Sequence, residues 1–202
     1  MTELEALYTQ IITCESCGLC KTRTHAVPGE GAENAEIMFV GEGPGFNEDQ
    51  QGRPFIGAAG KFLDELLGSI NLTRPDVYIC NVVKCRPPSN RDPSPEEVDA
   101  CRPFLLRQIE LINPKLIVTL GRFSLSWFFP RDAIGKVRGS LRQLGDRHYY
   151  HVYHPAAALH NGSLRQVILD DFAKIPLALD KIREDQPVAA AVPASVEQGR
   201  LF

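Results

Sequence analysis

The chain has 202 residues, 44% apolar and 23% charged, with a formal net charge of −3. That is enough material for one well-buried core and thin for two, and the weak negative balance argues against a protein that coats nucleic acid through its overall charge. No apolar run nears the ~18 residues needed to cross a bilayer, and the acidic start Met1-Thr2-Glu3-Leu4-Glu5 lacks the cationic and apolar parts of a secretory signal, so a cytoplasmic protein without membrane contact is expected.

In a reducing compartment, six cysteines are more often ligands, catalytic groups or small buried hydrophobes than disulfides. The first feature along the chain is Cys14-x-x-Cys17, whose spacing lets two thiolates from one tight turn face a single metal centre. An apolar run at 37–40 predicts a buried strand. Gly41-Glu42-Gly43-Pro44-Gly45 follows it, and glycines there allow a sharp turn and close approach to a ligand. The turn lacks the Gly-Lys-Ser/Thr ending of a phosphate loop and the third glycine of the dinucleotide fingerprint. In the Gly- and Pro-rich stretch 52–57, Phe55 is able to stack on a base, although core packing is the commoner use of one Phe. Apolar positions 62, 63, 66, 67 and 70 predict a helix.

A second strand at 77–80 runs into Asn81, whose amide offers a donor and an acceptor side by side; capping a turn is the ordinary role of such a residue. Cys80 at the strand's end reads as a small buried hydrophobe. Cys85 follows, among Lys84, Arg86 and Arg91. Ser94, Pro95 and Glu97 then form the capping box of a helix that carries Cys101. A third strand is expected at 116–119, a basic loop holds Lys136 and Arg138, and a fourth strand at 149–152 leads to His154-Pro155. A last helix is expected over about 163–183, irregular at Pro176. From 185 to 202 the composition loses bulky side chains and reads as a flexible tail, yet it ends in Gln198-Gly199-Arg200-Leu201-Phe202, as a docking peptide would.

Strands alternating with helices imply a mostly parallel sheet covered on both faces. In such a sheet Glu42, Asn81 and His154 all follow strands and share one rim, where ligands bind. Cys14, Cys17, Cys85 and Cys101 could converge on zinc or on a 4Fe–4S cluster, and spacing does not decide between these; Cys20 could be a spare ligand.

Cys14-x-x-Cys17, the Gly41–Gly45 turn with Glu48-Asp49, Gly52-Arg53-Pro54-Phe55, Asn81 followed by Lys84-Cys85-Arg86-Pro87-Pro88, Cys101 and His154-Pro155 together resemble the family-four, iron–sulfur uracil-DNA glycosylases over roughly residues 10–182. The resemblance implies a three-layer α/β/α sandwich around a four-stranded parallel sheet, as one domain over 1–184. It implies a 4Fe–4S cluster on Cys14, Cys17, Cys85 and Cys101, with Cys20 and Cys80 outside the ligand set. It also implies release of uracil from DNA as the first step of base excision repair. Phe55 would stack on the flipped base, Asn81 would read its polar edge, and His154 with backbone N–H groups near Gly43 would stabilise charge on O2. Glu42 would position water and Glu48 would shape the pocket wall, with Gly41 in the same turn. Lys84, Arg86, Arg91, Lys136 and Arg138 are expected to hold the DNA backbone. The tail resembles Gln-x-x-Leu-Phe peptides that dock on bacterial sliding clamps, with Gln198, Leu201 and Phe202 as anchors of a nucleoid-associated monomer. Two other classes stay open at this point: a damaged-DNA binding module without turnover, and an iron–sulfur electron carrier.

Overall fold

A computed structural model describes residues 1–185. The tail expectation, clamp peptide included, lies outside the described residues. In chain order the helices are α1 (Glu3–Thr13), α2 (Phe46–Gln51), α3 (Ala58–Ser69), α4 (Pro95–Ile112), α5 (Gly121–Phe128), α6 (Ile134–Val137), α7 (Pro155–His160), α8 (Leu164–Phe172) and α9 (Ile175–Asp185). The strands are β1 (Glu30–Gly31), β2 (Ile37–Gly41), β3 (Tyr78–Asn81), β4 (Leu116–Leu120), β5 (Leu141–Leu144) and β6 (Arg147–Val152).

The sheet order is β1-β3-β2-β4-β6-β5. Its four central strands are the four expected from the apolar runs, and every neighbouring pair among them is parallel. The expected four-stranded sheet gains a short antiparallel strand at each edge. Neither edge has an apolar run to announce it. β1 is two residues long, and β5 is a half-exposed strand joined to β6 across a two-residue turn with Gly145 at φ 63°.

Alternation along the strands splits the core into two layers. Met38, Val40, Tyr78 and Ile117 pack with Leu7 and Ile11 of α1 and with Leu105 and Ile109 of α4. Phe39, Ile79, Val118 and Tyr150 pack with Leu63 and Leu66 of α3 and with Ile168 and Phe172 of α8. Four central strands buried on both faces explain why each reads as a continuous apolar run.

The capping box at α4 is formed as expected: Glu97 N–H donates to Ser94 Oγ, and Ser94 N–H donates to Glu97 Oε2 at 2.8 Å. The expected single helix over 163–183 is two helices. The break falls at Ala173–Lys174, and Pro176 sits in the first turn of α9, where an N–H has no intrahelical partner to lose. No helix among the described residues is long and apolar enough to cross a membrane.

Candidate active site

Because β3 lies on one side of β2 and β4 on the other, the chain reverses its direction of winding at β2, and the crevice beyond these strand ends is the natural ligand site of an open parallel sheet. A cleft of about 600 Å³ opens there. Glu42 and Gly43 line it from the turn after β2, Glu48 from α2, Asn81 from the end of β3, Arg122 from the first turn of α5, and Phe55 and His154 close the wall. The three rim residues expected from sequence are therefore brought together.

Asn81 is 2% exposed, and its Oδ1 is buried without a hydrogen-bond partner. An unpaired buried acceptor is uncommon and calls for a reason; here it faces a cleft large enough for a nucleobase. Gly41 stands directly behind it. A Cβ on Gly41 would come within 2.4 Å of Asn81 Oδ1 and 2.6 Å of the Phe55 ring. Gly41→Ala is expected to displace both groups and lower the activity that depends on this cleft by at least about tenfold, while leaving His154 in place; a rate within about twofold of the parent, measured in single turnover, would reject this packing argument.

Phe55 adopts φ 52°, a left-handed conformation that a bulky residue holds only under restraint. The restraints are visible. Glu48 Oε1 accepts the N–H groups of Ile56 and Gly57 at 2.9 Å each, and Arg74 donates to the carbonyls of Pro54 and Phe55. Glu48 Oε2 also accepts Gly45 N–H at 3.1 Å, so one carboxylate joins the Gly-rich turn to the Phe55 loop. The Phe55 ring stacks against His154, with centroids 5.5 Å apart and planes at 29°.

His154 caps α7 by accepting Ala156 N–H on Nδ1 at 3.1 Å. The proton of a neutral ring is then on Nε2. Burial pushes the imidazole down to about 4, so it is neutral at pH 7. Burial raises the Glu42 carboxyl above its usual range; Asp92 adds to that shift and Arg122 opposes it.

The cysteines form a second centre. Cys14, Cys17, Cys20, Cys85 and Cys101 line one small cavity between α1 and α4, together with Arg23. Three sulfurs already accept hydrogen bonds: Cys14 from Ser16 N–H at 3.4 Å, Cys85 from Arg23 Nη1 at 3.2 Å and Cys101 from Lys84 N–H at 3.3 Å. Burial pushes the Cys101 thiol up to about 11 and raises Cys85 as well, so a positive centre must displace these protons for either to act as a thiolate. Cys80 is fully buried in the core, as its position in the strand implied.

The expected DNA contacts fare unevenly. Lys84 is corrected: it is 1% exposed, with Nζ bonded to Asn81 O and Gln108 Oε1, and cannot reach a phosphate. Arg86 lies over the Phe46 ring and bonds Asn90, and Arg91 forms a forked pair with Glu97 at the cleft rim. Arg138 Nη1 donates to both carboxylate oxygens of buried Asp171, which anchors its loop, and Lys136 beside it is exposed. Sequence reasoning missed Arg122, which pairs with Asp92 at 2.6 Å on the cleft mouth, and Arg74. Arg122 lies just past the end of β4, on the rim where Asn81 ends β3, so the same rim argument could have found it; Arg74 lies in a polar loop with no such signal.

A mostly parallel α/β sheet with a carboxylate, an unpaired amide and a neutral imidazole around one rim cleft defines an α/β domain with a polar ligand cleft at its strand ends. The sequence profile of the Uracil DNA glycosylase superfamily matches residues 28–174. The chain is 50% identical over 185 residues to a type-4 uracil-DNA glycosylase of Sulfurisphaera tokodaii, covering 87% of this chain and 84% of that protein. It is 49% identical over 176 residues to a type-4 uracil-DNA glycosylase of Thermotoga maritima, covering 85% and 92%. A type-5 uracil-DNA glycosylase of Thermus thermophilus is 32% identical over 149 residues, 63% of this chain and 68% of that protein. The chain belongs to the uracil DNA glycosylase superfamily.

Proposed function

We propose that the protein excises uracil from DNA by hydrolysing its N-glycosidic bond and leaves an abasic site. The observation that carries this reading is the buried, unpartnered Oδ1 of Asn81 at the back of the cleft. The uracil edge offers an N–H beside a carbonyl oxygen, and a side-chain amide matches both at once. Release of free uracil from a labelled uracil-containing oligonucleotide tests the reading directly. DNA binding without release would leave a damage-binding module, and redox activity independent of DNA would favour the electron carrier.

In this reading Phe55, held by Glu48 and Arg74, stacks on the extruded base, and Asn81 selects its edge. As the C1′–N1 bond breaks, its electron pair leaves with uracil and charge gathers on O2. The Nε2–H of a neutral, half-buried His154 donates to that oxygen without reorganising during bond cleavage. Water then adds to C1′, and the Glu42 carboxylate orients it and accepts its proton. Only ionised Glu42 can do this, and its raised pKa brings protonation in at a higher pH than for an ordinary glutamate. The single-turnover rate should therefore fall on acidification before His154 titrates near 4, and Glu42→Gln should be slow with no such acid limb; a variant that keeps the parent's pH profile would remove Glu42 from this role.

Arg86, Arg91 and Lys136, with Arg122 added and Arg138 bracing its loop, would hold the flanking phosphates. The all-sulfur donor set on one cavity supports a 4Fe–4S cluster on Cys14, Cys17, Cys85 and Cys101. Thiolates are the usual ligands of such a cluster, and all four candidate sulfurs line this one cavity. When bound, such a cluster would cross-link the N-terminal segment to the loop after β3 and to α4. The protein would act as a monomer near the nucleoid, and the peptide bearing Gln198, Leu201 and Phe202 would anchor it to a sliding clamp.

A further inference from the structure

Lys84 carries a cationic side chain into the core, where it is 1% exposed. Its Nζ donates to the carbonyl oxygen of Asn81 and to Oε1 of Gln108, both at 2.6 Å, and no carboxylate pairs with it among the described residues. An ammonium buried without a countercharge is disfavoured by the loss of its hydration. The acidic groups around it are thiols. Its own backbone N–H bonds Cys101 Sγ at 3.3 Å, Cys85 is the next residue, and its side chain reaches the Cys80 thiol. Four thiolates on a 4Fe–4S core make a net negative group. Arg23, which donates to Cys85 Sγ, and the Lys84 ammonium, whose charge favours the thiolate of Cys101, are the cations set against it.

The other end of Lys84 meets the base-recognition site. The carbonyl that it holds belongs to Asn81, whose side-chain oxygen waits unpaired in the cleft wall. The second acceptor is equally fixed. Gln108 is fully buried, and its Nε2 donates to Pro28 O at 2.7 Å and Tyr78 Oη at 2.9 Å; Tyr78 Oη in turn lies 2.8 Å from Tyr8 Oη of α1. The ammonium is thus pinned between the cysteine cavity and the end of β3.

We propose that Lys84 is a positioning residue for uracil recognition: the cluster's negative charge holds its ammonium in place, and the ammonium fixes the Asn81 backbone so that the amide meets the base edge. This rests on the glycosylase reading and on the cluster assignment above. Lys84 touches neither substrate nor reacting atoms and acts only through Asn81.

The test compares purified, cluster-bearing parent, Lys84→Met and Lys84→Arg proteins. The measurements are single-turnover uracil release, inhibition by free uracil, affinity for DNA with an abasic-site analogue, and the cluster's reduction potential. A parent that releases no uracil overturns the glycosylase reading whatever Lys84 does. With an active parent, Lys84→Met is expected to weaken inhibition by free uracil about tenfold, the effect of losing one charged hydrogen bond, and to slow release by a similar factor. Affinity for abasic DNA should stay within about twofold, since phosphate contacts dominate it. The potential should move to more negative values, because reduction adds charge beside a site that has lost a cation. Lys84→Arg keeps the charge but not the fit to two acceptors, so it should restore the potential and only part of the uracil affinity. Unchanged uracil inhibition, an unchanged potential, or a parallel fall of uracil and DNA affinity would each overturn the proposal. If Lys84→Met does not fold with its cluster, Lys84→Arg decides: uracil inhibition equal to the parent's rejects the proposal, and weakened inhibition with the parent's potential supports it.

Discussion

Truncating His154 to Ala should slow single-turnover release of uracil by about 10²–10³-fold, the usual effect of deleting one preorganised donor from a developing anion. The ring cannot act mainly as a charged acid. Its Nδ1 is occupied by Ala156 N–H and its pKa is near 4, so at pH 7 it offers a neutral Nε2–H and nothing more. Affinity for abasic-site DNA should barely change, because His154 forms part of a buried wall and pairs with no phosphate-binding group. His154 also supports the Phe55 ring at 5.5 Å, so part of the loss could come from a shifted stacking surface. His154→Gln separates the two effects, since it restores an N–H donor but not an aromatic face. Recovery of a substantial part of the rate in His154→Gln is expected. A loss below about fivefold in His154→Ala would mean that O2 is stabilised by backbone groups alone, and the role given to this imidazole would fail.

The parts of the fold legible in the sequence are those where one physical cause dominates. Residues 37–40, 77–80, 116–119 and 149–152 are strands buried on both faces, so each leaves an unbroken apolar run, and all four pair in parallel. The Ser94–Glu97 box is a local hydrogen-bond pattern and needs no tertiary context. β1 and β5 were hidden because edge pairing depends on a neighbour, and two or four half-exposed residues carry no pattern of their own. The break before α9 was misplaced for a related reason. Proline was expected to mark the irregularity, but in a first helical turn it is tolerated, and the chain turns two residues earlier.

The candidate site was legible wherever strand ends announced it. Glu42, Asn81 and His154 meet because parallel strands end on the same side, and the cysteines meet because α4 returns Cys101 to the loop that holds Cys85. Lys84 shows the limit. A lysine between an asparagine and a cysteine, followed by arginines, has the composition of a basic surface, and only burial reveals an ammonium turned inward onto Asn81 O. Partners distant in sequence were equally invisible: Asp171 lies 33 residues from Arg138, and Asp92 lies 30 residues from Arg122. Glu48 was placed in the cleft wall but its larger task, joining Gly45 to Ile56 and Gly57, appears only when three backbone N–H groups converge on it.

Asn81→Ala should abolish most uracil release, by roughly 10³-fold or more, and yet leave the folded protein as stable as the parent or slightly more stable. The two halves have one cause. In the free protein Asn81 Oδ1 is buried with no donor, and a group in that state destabilises the fold by about 1–3 kcal/mol. Removing it relieves that penalty. The space vacated merges with the cleft and leaves no sealed cavity, so the usual loss on truncating a buried side chain is small. Function moves the other way, because a site built to hydrogen-bond a base edge discriminates by roughly 10⁴–10⁵ through pairs that must all be made. Thermal unfolding of the two cluster-bearing proteins under one set of conditions, beside single-turnover release, reads both effects. A clear fall in the unfolding midpoint would show that Asn81 is a structural cap with partners of its own, and the unpaired oxygen would lose its meaning as a socket for uracil.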